Sequence, residues 1–136
     1  MLLEPRARDC PGERLFAQSL EKLRRYREAA DAFAVALGTC GAKDWGLRVG
    51  LVKSRLYSGD PRGADVVEKL LDERPEAHSL RRAWLWVLST RGRTVEATRH
   101  LEYLQWAGVI SKSEETALER ARIGFPFSLP ELAPTR

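Results

Sequence analysis

The stretch Tyr26-Arg27-Glu28-Ala29-Ala30-Asp31-Ala32-Phe33-Ala34-Val35-Ala36-Leu37 has one regular feature. Ala29, Ala30, Phe33, Ala36 and Leu37 recur at three- and four-residue steps, which puts them on one stripe of an α-helix. Upstream, from Glu13 to Arg24, Leu15, Phe16, Leu20 and Leu23 repeat the pattern. The basic elbow Arg24-Arg25-Tyr26 separates the two segments, so two helices are expected to face one another. Downstream, Gly38 to Ala42 reads as a C-cap and loop, and Asp44 stands where an N-cap belongs.

The same alternation of helix and break continues to the end of the chain. Trp45, Val49, Val52 and Leu56 mark a third helix, Ser58-Gly59-Asp60-Pro61 a break, and Ala64, Val67, Leu70 and Leu71 a fourth helix before Pro75. Pro61 suits a first helical turn, whereas Pro75 cannot prolong the helix before it. From Ser79, the residues Ala83, Trp84, Val87 and Leu88 predict a fifth helix; after Arg91-Gly92-Arg93-Thr94, Ala97, Leu101 and Leu104 predict a sixth, ending at Gly108. Ser111-Lys112-Ser113-Glu114 has capping-box spacing and opens a seventh through Ala117, Leu118, Ala121 and Ile123, with Glu114, Glu115, Glu119, Arg120 and Arg122 on its wet side. No stretch is left for a strand, and the fold class is all-α.

A fixed period underlies the pairs. The step that carries Phe16 onto Trp84 also superposes Leu20 on Leu88, Glu28 on Glu96, Ala29 on Ala97, Phe33 on Leu101 and Ala36 on Leu104. That step is two turns of a repeat of about 34 residues. The middle pair lies between them, with Gly59 close to one period before Gly92, although its two helices do not share one offset with their neighbours. From Glu13 to Gly108 the chain resembles the tetratricopeptide repeat family, whose helix-turn-helix units of about 34 residues carry a Trp-x2-Leu-Gly-x2-Tyr, Ala-x3-Phe, Ala and Pro pattern. Tyr26 to Leu37 carries the resemblance best, through its aromatic, its Glu-Ala pair, the Ala29-x3-Phe33 step and the Ala36-Leu37 ending. Glu13 and Arg81 replace the first-helix tryptophan, and Ala17 and Leu85 the first-helix glycine.

The resemblance implies an α-solenoid of three antiparallel helix pairs over residues 13–123, with repeats at 13–41, 42–76 and 77–108 and a capping helix at 111–123. Residues 1–12 are an N-terminal extension and 124–136 a proline-rich tail. An irregular helical bundle is the alternative architecture. Small Ala29 and Ala97 suit close helix crossings, Phe33 and Leu101 fill the space between units, and stacking buries faces that one pair alone leaves bare.

Composition sets the outer bounds. The chain has 136 residues, 15.4 kDa, a net charge of +4 and a pI near 9.4, sufficient for one soluble domain with a conventional core. No apolar run reaches the ~18 residues of a membrane span, and Glu4 and Pro5 interrupt the opening apolar residues, so a cytoplasmic protein without a membrane partner is expected. Cys10 and Cys40, far apart in sequence, read as separate thiols.

Catalytic patterns are scarce. His78 lies beside a helix start and His100 on a polar face, with no Ser, Cys or Asp spaced to orient either; no phosphate loop or metal motif occurs. The expectation is a protein that is not an enzyme and needs no cofactor or metal. A partner-binding groove is expected instead, formed by Arg14, Gln18 and Lys22 beside Glu21, then Lys53 and Tyr57, then Arg82 and Trp86 beside Ser79 and Ser89. Trp86 points roughly 200° away from Trp84 around its helix, either as a groove anchor or packed against a neighbouring helix or the tail.

Tetratricopeptide domains commonly bind peptides or helices in such a groove, and Arg14, Lys22, Lys53 and Arg82 favour a carboxylate-bearing one. The reading is therefore a protein-interaction module, an adaptor or a chaperone, in its narrower version similar to bacterial secretion chaperones. RNA binding by helical repeats is the alternative class, disfavoured by the modest charge and by Glu21 in the groove. Phe125, Phe127, Leu129 and Leu132 in the tail need cover, either on their own domain or in the groove of a second copy or a partner.

Overall fold

A computed structural model describes residues 9–134. Among these residues the structure is all-α, with helices α1 (Cys10–Lys22), α2 (Tyr26–Cys40), α3 (Trp45–Ser58), α4 (Pro61–Glu73), α5 (His78–Thr90), α6 (Thr94–Trp106) and α7 (Lys112–Arg122), then a 3-10 turn at Pro130–Leu132. The chain divides into two compact units, Met1–Leu70 and Leu71–Arg136. No helix among the described residues is long and apolar enough to cross a membrane.

In the first unit α1 begins earlier than the expected 1–12 extension allows. Asp9 caps it by accepting a hydrogen bond from the Gly12 amide at 2.9 Å, so residues 10–12 are helical; residues 1–8 lie outside the described residues. Arg24, with φ of 60°, turns the chain back into α2. The antiparallel pair is closed by a disulfide between Cys10 and Cys40, whose Cα atoms are 5.0 Å apart. This corrects the reading of two separate thiols: antiparallel packing brings the first residue of α1 to the last residue of α2, undoing their distance in sequence.

Ala17, Leu20, Ala29, Ala32, Phe33, Ala36 and Leu47 form one core cluster across α1, α2 and α3. Leu15 and Leu23, expected inside, are each 65% exposed; the inward face of α1 is instead Glu13, Ala17 and Leu20. Contact between α2 and α3 depends on Gly50, where any Cβ would run into the Phe33 ring. Asp44 caps α3 as expected, accepting from the Leu47 amide at 3.1 Å.

The second unit packs α5 on α6 and α6 on α7. Ala83, Trp84, Leu85, Val87 and Leu88 of α5, Ala97, Leu101 and Leu104 of α6, and Ala117, Leu118 and Ala121 of α7 are buried. The capping box is formed at Ser111 and Glu114, but Glu114 is buried and not on the wet side, while Ile123 is exposed. The tail returns to its own unit: its 3-10 turn contacts α5 and Leu129 is fully buried.

Burial obeys one period in all three pairs. Glu13, Leu47 and Arg81 are buried at equal steps along the chain, and the same step links buried Ala29, Gly63 and Ala97, then Phe33, Val67 and Leu101, then Ala36, Leu70 and Leu104. The middle pair therefore shares a single offset with its neighbours, contrary to the sequence reading. Its irregularity is confined to the elbow, where the left-handed residue is Gly59, one position later in the register than Arg24 and Gly92.

Candidate functional site

Three of the expected groove residues of the first unit, Arg14, Lys53 and Tyr57, are engaged within the unit. Arg14 donates from Nη1 to Asp44 Oδ1 at 3.2 Å and from Nη2 to Oδ2 at 2.5 Å, tying α1 to the cap of α3. The Arg14 hydrogen bond, helped by the Leu47 amide, holds the Asp44 carboxyl below the usual carboxylate range. Lys53 Nζ lies 3.6 Å from Glu21 Oε2. Tyr57 stacks at a tilt on Tyr26 with ring centroids 5.0 Å apart, and burial, reinforced by Tyr26 and Glu21, pushes its phenol up to about 12. Gln18 and Lys22 are exposed.

In the second unit Arg82 donates to both Glu114 oxygens, from Nε to Oε2 at 2.6 Å and from Nη2 to Oε1 at 2.9 Å, and from Nη2 to the Val109 carbonyl at 2.7 Å. Trp86 is half-buried on α5. Arg14, Lys53 and Arg82 thus spend their charge on carboxylates of their own units, because each lies opposite an acid on a neighbouring helix that sequence periodicity alone does not identify.

His100 is a further correction: it is buried, not solvated. Its Nδ1 lies 2.7 Å from Arg81 Nη1. A guanidinium can only donate, so Nδ1 is the acceptor and the ring is neutral with its proton on Nε2. Arg81 also donates to the Pro75 carbonyl at 2.9 Å and lies 3.9 Å from the centre of the Tyr103 ring. Tyr103 in turn leads to Trp106, 5.7 Å between centroids, and Trp106 is 81% exposed. Among the described residues no group of His, Cys, Asp or Glu is placed to hold a metal ion.

An open concavity of the first unit lies between α1 and α2. Its volume is about 530 Å³, its floor is Phe16, Leu20, Ala32 and Val35, and its rim carries Glu13, Arg25, Glu28 and Asp31. Arg25 is already bound by both Glu28 oxygens at 2.6 Å. Phe16 and Val35 remain 41% and 58% exposed, so the trough presents an apolar surface with residual negative charge. The expected groove residues Arg14, Gln18, Lys22, Lys53, Tyr57, Arg82 and Trp86 do not line this concavity. No protein-family model, curated protein or solved structure matches the chain.

Proposed function

We propose that this chain is a non-catalytic protein-interaction module of the tetratricopeptide kind, an adaptor or chaperone that holds a peptide or amphipathic helix of another protein in the α1–α2 trough. The observation that carries the reading is the trough itself: a concave apolar floor with polar groups at its rim is the surface that an amphipathic helix covers. The single period of buried positions supports the tetratricopeptide assignment. The role of α7 as a cap on α6 belongs to the same proposal.

The internal pairing of Arg14, Arg25, Arg62, Arg82 and Arg93 with carboxylates supports a protein partner over RNA, since backbone binding to nucleic acid requires cations aimed at phosphates. The same pairing moves the expected partner away from an acidic peptide. A secretion-type chaperone is the narrower version of this function. As for compartment, a bonded Cys10–Cys40 pair fits an oxidising environment better than the cytoplasm.

Photo-crosslinking tests the reading. A photoreactive residue at Val35 should give one defined protein adduct in the native cell, and the same residue at Glu119, exposed on α7, should not. Equal labelling from both positions, or none from Val35, would contradict the proposal.

A further inference from the structure

Glu13 is a buried carboxylate whose Oε1 has no hydrogen-bond partner, and it lines the α1–α2 trough. Its place in the first turn of α1 accounts for a negative charge there, because the helix N-terminus is electropositive. It does not account for a carboxylate turned inward with an oxygen unanswered, a costly arrangement that folded chains seldom keep without reason.

The repeat register shows what is missing. Arg81 occupies the corresponding position two repeats later, and there the buried charge is met by His100. The residue in the register of His100 in the first unit is Ala32, which has no polar group and forms part of the trough floor. Leu47, at the same position of the middle pair, avoids the question by being apolar and fully buried. Of these three register positions, Glu13 alone combines an inward charge with an open cavity.

We propose that the trough takes a basic amphipathic segment of a partner protein, whose arginine or lysine pairs with Glu13 while flanking apolar side chains cover Phe16, Leu20, Ala32 and Val35. The inference rests on the interaction-module reading and adds the chemistry of the partner. Complementarity of charge carries it: Arg25 is neutralised by Glu28 and Asp31 acts on Arg62, which leaves Glu13 as the unanswered charge of the lining. A cation there gains a charge-assisted hydrogen bond to a carboxylate that is already largely out of water.

The test uses two labelled peptides, acetyl-LARLLALARLLA and the same sequence with both arginines replaced by glutamine, titrated into the full chain with amide chemical shifts recorded. The arginine peptide should bind at least ten-fold tighter and perturb Phe16, Ala32 and Val35. Glu13→Gln and Glu13→Leu should each erase that preference; the second variant copies Leu47 and keeps the test valid if the first folds poorly. Equal affinity of the two peptides for the wild-type chain, or an arginine preference that survives both substitutions, overturns the inference. If both peptides bind equally and Val35→Asp weakens both, the module reading stands without the cation; if neither perturbs the trough, both readings fail. Binding that appears only after removal of residues 1–8, or a dimer abolished by Glu13→Gln, assigns the trough to the chain itself and also overturns the inference.

Discussion

Arg82 and Glu114 share two nearly parallel hydrogen bonds that fasten the middle of α5 to the first turn of α7. The Glu114 side chain is 1% exposed, so this contact clasps the two helices through a buried carboxylate. Removing one partner of a buried charge pair strands the other. Glu114→Gln should therefore cost ~2 kcal/mol in urea unfolding at neutral pH.

Acid should remove the same stabilisation. Burial raises the Glu114 carboxyl, but the Arg82 hydrogen bond and the Ser111 amide outweigh it and leave the group below its ordinary value of 4.5. A lowered folded value means the contribution is complete above pH 4.5 and is lost as pH falls through the lower folded value. Urea midpoints of the wild type and Glu114→Gln should stay separated near neutrality and converge in acid. A separation that persists unchanged into strong acid would contradict the clasp.

The Arg81–His100 contact predicts an asymmetry between two substitutions. His100→Leu leaves a guanidinium N–H buried without its acceptor and should destabilise the chain by ~2 to 3 kcal/mol. His100→Gln keeps an acceptor and should recover more than half of that loss. Equal melting temperatures for the two variants would show that the contact is only one of shape.

Closing the α1–α2 pair with a disulfide restricts the unfolded chain, and for a sequence separation of 30 the loss on reduction should be ~3 to 4 kcal/mol. Thermal melting with and without a thiol reductant, repeated on Cys40→Ser, measures it. The reductant should lower the wild-type midpoint and leave that of Cys40→Ser unchanged.

The fold was largely legible because helix stripes and a fixed repeat period are local or recurring signals. Ala29, Phe33 and Ala36 announce their faces through spacing alone, and the capping box at Ser111 names both its members. What lay beyond reach was the choice of partner across helices. Nothing in the spacing of Cys10 and Cys40, Arg14 and Asp44, or Arg82 and Glu114 tells which residues of antiparallel neighbours meet. Among the expected groove residues this bears on Arg14, Lys53 and Arg82, which meet carboxylates of their own units, while Gln18 and Lys22 stay exposed. Glu13, visible as a departure from the tryptophan expected at its position, was the signal that could have directed attention to the trough.

The trough, and not the α5 surface around Trp86, is the proposed seat of the partner. The decisive measurement is the affinity of the protein crosslinked through Val35 for three preparations, wild type, Val35→Lys and Trp86→Ala, each with its melting temperature. A positive charge placed on the exposed apolar floor repels a basic segment and should cost binding by ~2 kcal/mol or more while the melting temperature of Val35→Lys stays within a few degrees of wild type. Trp86→Ala, which truncates a half-buried side chain, should lower the melting temperature and leave the affinity of the folded fraction unchanged. Full affinity in Val35→Lys together with lost affinity in a stably folded Trp86→Ala would place the partner on α5 and not in the trough.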